Sequence, residues 1–139
     1  MMRPGIRLND LTRHILIPAT EAEPRNMGAD LIELCDGRLL LGVSRWLGGA
    51  HDDDCTDVFG MVSEDGGATW SERFDIVRPT GRVEAVRMPN FLRLDDGRLA
   101  CFCRHRTSIL DTWTGMIVCL DEENLGKPGS RPTQWSDPT

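Results

Sequence analysis

Two stretches of this chain repeat one another. Leu31–Leu40 reads L-I-E-L-C-D-G-R-L-L, and Phe91–Ala100 reads F-L-R-L-D-D-G-R-L-A, an offset of 60. In each copy an apolar run meets Asp-Gly, and a second apolar run follows. An Asp side chain bonds backbone two residues on, and Gly accepts a left-handed conformation, so the pair predicts a tight turn between antiparallel strands. The repeat extends beyond this hairpin. Expected strands at 30–34, 38–45, 57–62 and 74–77 are followed by expected strands at 91–94, 99–103 and 113–120. Asp65 falls over Asp121 at an offset of 56, and Trp70-Ser71-Glu72 over Trp135-Ser136-Asp137 at an offset of 65. The second copy therefore has a shorter loop before its third strand and a longer turn after it.

A repeated four-stranded antiparallel unit is the sequence signature of a β-propeller, which buries its sheet faces by stacking blades. Residues 25–79 are read as one blade and 80–139 as a second, which stops where its last strand should begin. Residues 1–24 are a lead-in. Within it His14–Ile17, stopped by Pro18, is expected to be the outer strand that closes the last blade. Two blades close no propeller, so the 139-residue chain reads as the N-terminal part of a longer protein, its remaining blades missing here.

The turn after the third strand carries its own motif. Ser63-Glu64-Asp65-Gly66-Gly67-Ala68-Thr69-Trp70 reads S-x-D-x-G-x-T-W. Ser63, Asp65 and Thr69 are short polar side chains that satisfy backbone groups inside a tight turn. Gly67 supplies a left-handed backbone. Trp70 folds back as an apolar plug. The role of these residues is structural.

Composition narrows the function. Forty per cent of residues are hydrophobic and 27% charged, which is globular. The net charge of -6 argues against nucleic acid as a partner. No apolar run reaches the length of a membrane span, and no apolar leader opens the chain, which predicts a cytoplasmic protein. The five cysteines lack paired metal-binding spacing, and Cys101 and Cys103 face one side of a strand, so free thiols are expected and no metal or cofactor is called for.

Strand alternation then locates a functional face. The Asp-Gly turns and the Ser63–Trp70 turn lie at one end of the strands. The starts of the first strands and the loops after the second strands lie at the other. Loops carry sites. That second end gathers Arg25, Asn26 and Met27, then Arg45 and the loop 46–54. The other blade adds Arg87, Met88 and Pro89, with Arg104, His105 and Arg106. Arginine captures carboxylate or phosphate in a bidentate fork. Asp52, Asp53 and Asp54, beside His51, form a run of like charges in which some pKa values rise, as a general acid needs. The same triplet also fits a solvated surface or a weak calcium ligand set. Trp46 stacks on a sugar or packs its own loop.

These motifs together resemble the bacterial sialidase (neuraminidase) superfamily, over roughly residues 25–138. The resemblance rests on Arg25-Asn26, the A-D-L-I-E-L-x-D-G-R-L-L-L segment, the G-G-x-H-D-D-D loop and the S-E-D-G-G-A-T-W turn, which is the superfamily's Asp-box. It implies a six-bladed propeller, and an exo-sialidase-type glycoside hydrolase that cleaves terminal acidic sugars from glycans. Arg25 and Arg45 are similar to arginines that hold the sugar carboxylate, with Trp46, His51, Arg87 and Arg104 further candidates for substrate contact. The acid/base aspartate falls among Asp52, Asp53 and Asp54. Arg25-Asn26-Met27 departs from the family's Arg-Ile-Pro, to which Arg87-Met88-Pro89 is more similar. The family's nucleophile is a tyrosine, and this chain has none. A non-catalytic propeller that binds glycan or protein on the same face is the alternative.

Overall fold

A computed structural model of the protein describes residues 12–79, 84–107, 113–127 and 133–134. The chain is all-β. Eight strands run β1 (Asn26–Glu33), β2 (Leu39–Trp46), β3 (Thr56–Ser63), β4 (Phe74–Val77), β5 (Ala85–Arg93), β6 (Leu99–Arg106), β7 (Thr114–Leu120) and β8 (Thr133–Gln134). They form two antiparallel meanders, β1–β4 and β5–β8, joined by one parallel bridge from Thr56 to Ala85. A 3-10 turn at Glu122–Asn124 is the one helical element among the described residues, and none there is long and apolar enough to cross a membrane.

The Asp-Gly turns are copies at side-chain level. Asp36 accepts from the Arg38 amide at 3.1 Å and from its Nε at 2.8 Å, and Asp96 accepts from Arg98 at the same two distances. Gly37 and Gly97 both have φ of 88°, which a β-carbon would oppose.

The two units stack face to face over one core. Leu40, Val58 and Val62 of the first meet Val86, Leu99, Cys101 and Cys103 of the second. Strand β3 is buried along its whole length, because its other face supplies Phe59 and Met61 to a second cluster with Val43. Ile17 and Trp70 pack against that second cluster. The outer face of the second unit stays open, with Leu92, Phe102 and Ile117 exposed. The 3-10 turn ties the units at one end. Glu122 accepts from the Cys35 amide at 2.7 Å and pairs with both terminal nitrogens of Arg93, while Arg38 donates to the carbonyls of Glu122 and Leu125.

The structure departs from the sequence reading at several points. Strand β1 begins at Asn26 and β6 runs to Arg106, so Asn26, Met27, Arg104, His105 and Arg106 lie in strands and not in loops. His14–Ile17 is not a strand. With no neighbouring strand to take its backbone bonds, it lies as coil, Ile15 outward and Ile17 inward. Strand β5 starts at Ala85, so Arg87-Met88-Pro89 sits inside a strand and not in a loop; a bulge between Arg87 and Asn90 accommodates the proline. Leu39 pairs with Ser63 and Leu99 with Leu120, so the third strands are offset by 57, and Glu122 replaces Asp121 as the counterpart of Asp65. The second unit also has a fourth strand, β8, within the chain. Residues 1–11 and Trp135-Ser136-Asp137 lie outside the described residues.

Candidate functional site

Both inner strands break at the same repeat position. Strand β1 is irregular between Met27 and Asp30, and β5 between Arg87 and Asn90. At the break Gly28 has φ of 62° and Met88 has φ of 58°. A methionine there is strained, and such strain collects at functional sites. The amides freed by the second bulge are taken by the first unit. Met88 N donates to Ser44 Oγ at 2.8 Å, and Phe91 N donates to Asp30 Oδ2 at 2.6 Å. The bulges thereby lock the two units in register beneath the loop ends.

Above them the loop from Leu47 to Cys55 is held by its own groups. Trp46 Nε1 donates to the His51 carbonyl at 2.9 Å, and His51 N donates to Asp54 Oδ2 at 2.8 Å. A β-carbon on Gly49 would lie 2.2 Å from the Asp54 carboxylate, so a larger residue there would displace the Asp54 side chain from its bond to His51 N. The three aspartates diverge. Asp52 pairs with Arg25 at 2.8 Å, Asp53 with Arg106 at 3.3 Å, and Asp54 turns into the loop. Among the described residues no group of three acidic, His or Cys side chains converges on a metal position.

Between the loop and the bulges opens a pocket of about 340 Å³. Its wall is a row of alternating guanidinium and indole groups. Arg25 stacks on Trp46 with 4.3 Å to the ring centroid. Arg87 lies between Trp46 and Trp113, at 4.7 and 4.6 Å. Arg106 and Arg104 flank Trp113 at 5.0 and 5.5 Å. Arg87 is fixed further by donating to the carbonyls of Asp52 and Asp54 and to Thr56 Oγ1. Burial first, and then the neighbouring Arg106, push its pKa down, while Asp52 and Asp53 oppose them. Such a wall holds a negatively charged ligand by its donors and an apolar ring face by its indoles.

Of the residues singled out in the sequence, Arg25, Trp46, Asp52, Asp53, Arg87 and Arg104 meet at this pocket. Arg45 does not. It forms a bidentate pair with the fully buried Asp57, at 2.9 and 2.6 Å, and also reaches Glu23 at 3.3 Å. Its guanidinium lies over Phe59, in the second cluster, because alternation along β2 turns residue 45 away from Trp46. His51 contributes backbone bonds to the loop and an exposed side chain, and Asp54 is spent on the loop. Asp52 also departs from expectation. The hydrogen bond from Arg25 holds its carboxyl below the usual carboxylate range, the reverse of what neighbouring like charges would do. Trp113 was not among the candidates, although it lies just before β7 at the same end of the strands. Arg106 lay on the expected face without an assigned role.

Ser63, Asp65, Gly67, Thr69 and Trp70 lie at the opposite end of β3. Asp65 accepts from Thr69 N at 2.8 Å, from Thr69 Oγ1 at 2.5 Å and from Ser63 Oγ at 2.8 Å, while Gly67, at φ of 96°, donates its amide to Ser63 Oγ at 2.9 Å. No protein-family model and no curated protein matches this chain, so its site is read from geometry and from the motifs alone.

Proposed function

We propose that the pocket takes a terminal acidic sugar, in a sialidase-like glycoside hydrolase whose six-bladed propeller includes these two units as neighbouring blades. One observation carries the reading: among the described residues four guanidinium groups and two indoles line a pocket that only two carboxylates enter. A sugar acid matches both features. Its carboxylate accepts from the arginines, and its ring packs on an indole. Arg25 and Arg87 are the carboxylate ligands. Asp52 and Asp53, both largely exposed at the pocket, are the candidates to protonate the leaving oxygen. Asp52 is ionised while Arg25 holds it, so the substrate carboxylate must draw Arg25 away before Asp52 serves as the acid. Closing the propeller takes further blades, and a tyrosine nucleophile would have to come with them, since these 139 residues hold no tyrosine.

The ionised state of Asp52 also favours a second reading, in which the face binds acidic glycan without cleaving it. With the closing blades present, a fluorogenic sialoside and a tryptophan-fluorescence titration separate the two. Hydrolysis predicts turnover that falls about 100-fold or more in D52N or D53N while binding persists. Binding alone predicts saturable quenching and no fluorophore release. Neither signal would sink both readings.

A further inference from the structure

The pocket has more positive charge than a single sugar carboxylate neutralises. Arg25 is paired with Asp52 and Arg106 with Asp53. Among the described residues Arg87 and Arg104 form no salt bridge. Arg87 spends Nε and Nη2 on Thr56 and two carbonyls and leaves Nη1 unused there. The Arg104 side chain makes no hydrogen bond among the described residues, and its guanidinium rests near Trp113. Arg106 is 3% exposed, and its Nε is a buried donor with no partner among those residues. A buried donor left unsatisfied is uncommon.

Among the arginines these unused donors are not spread evenly, although Asn26, next to Arg25, also has a buried amide group without a partner among the described residues. Arg25, Asp52 and Trp46 form one end of the pocket, with their charges balanced. Arg104, Arg106 and Trp113 form the other, and Arg87 lies between the two indoles. Building on the acidic-sugar reading, we propose that the Trp113 end is a second anion subsite, and that the preferred ligand is a saccharide with two acidic groups. The second group is a carboxylate or a sulfate ester on the sugar next to the terminal one. It accepts from Arg104 and shares Arg87 with the first. Arg104 then determines specificity: it adds affinity for doubly acidic saccharides and little for others.

The test is a tryptophan-fluorescence titration of the protein with three probes. One is a sialyl trisaccharide with a single carboxylate. The others are its sulfated form and a form with a second sialic acid. At about 50 mM salt the doubly acidic probes should bind about tenfold more tightly, a gap that narrows at about 150 mM as screening grows. Preference for one of the two doubly acidic probes supports the subsite and identifies its group. R104A should bring the ratio to about one, and R104K, which keeps the charge, should restore most of it. Arg104 is exposed, so neither change threatens the fold. Equal binding of all three probes, or a ratio unchanged in R104A, overturns the second subsite alone. No binding of any probe overturns the acidic-sugar reading along with it.

Discussion

Arginine 45 shows how far one side chain's partner decides its role. Its sequence context suits a ligand-binding cation, but the residue opposite it in β3 is Asp57, which is fully buried. A buried carboxylate without its cation is costly, so R45A should destabilise the protein by about 3–5 kcal/mol. Urea unfolding measures this, and a midpoint near the parent's would show the pair to be dispensable. If Arg45 were instead a sugar ligand, R45A would weaken binding and leave stability alone. Asp65 gives a second test, in acid. Bonds from Thr69, then from Ser63, hold its pKa down at about 2 from the ordinary 3.8. An acid depressed in the folded state contributes stability that is whole above its ordinary pKa and lost as pH falls through the folded value. Melting temperature should therefore fall between about pH 4 and pH 2, and D65N should make that decline shallower. Some slope should remain, since Asp36, Asp96 and Glu122 are also held low by their arginine partners. An identical acid profile in D65N would refute the assignment.

At the scale of the strand, β3 is the element that the rest of its unit is fitted to. It pairs with β2 and β4, and both of its faces are covered. Gly60 lies at its middle, where a β-carbon would come within 2.8 Å of the Phe74 ring and 2.9 Å of Ile76 Cδ1. Ile76 is buried, so its side chain has little room to shift. Gly60→Ala should cost about 1–3 kcal/mol through overpacking. A urea midpoint within error of the parent would mean that β4 moves aside easily. The strands themselves were legible, because apolar runs and Asp-Gly turns are local signals. The extent of β5 was not. Pro89 reads as a strand breaker, and only the neighbouring unit, through Ser44 and Asp30, takes up the amides that the bulge releases. The error at Asp121 has a similar origin. A one-residue shift in a degenerate turn leaves the letters plausible, while strand register fixes Glu122 as the counterpart of Asp65. The end of the strands at which Arg25, Asp52, Arg87 and Arg104 gather was readable from strand alternation. The stacking of Arg87 between Trp46 and Trp113 was not, since it depends on how two units face one another.

For the whole molecule the question is whether two repeats behave as two objects or as one. Repeat proteins are stabilised by each unit's own contacts and by those between neighbours. Here the main core draws on both units, with Leu40, Val58 and Val62 packed against Val86, Leu99 and Cys101. Without the second unit the first keeps only the small cluster of Val43, Phe59 and Met61. The interface is also pinned at both ends of the strands. Glu122, Arg93 and Arg38 span it below, and Ser44, Thr56 and Arg87 span it above. The two units should therefore unfold in one transition. Leu40→Ala, at a fully buried position in the first unit, should cost about 2–5 kcal/mol. Its effect should reach the second unit undiminished. Hydrogen exchange tests this strand by strand. Amides in the β2–β3 ladder and in the β6–β7 ladder should share one opening free energy in the parent, and Leu40→Ala should lower both by the same amount. Loss of protection confined to β1–β4 would mean that each unit stands alone and that the bonds between them are peripheral. The pocket, whose wall draws on both units, would then exist only while both happened to be closed.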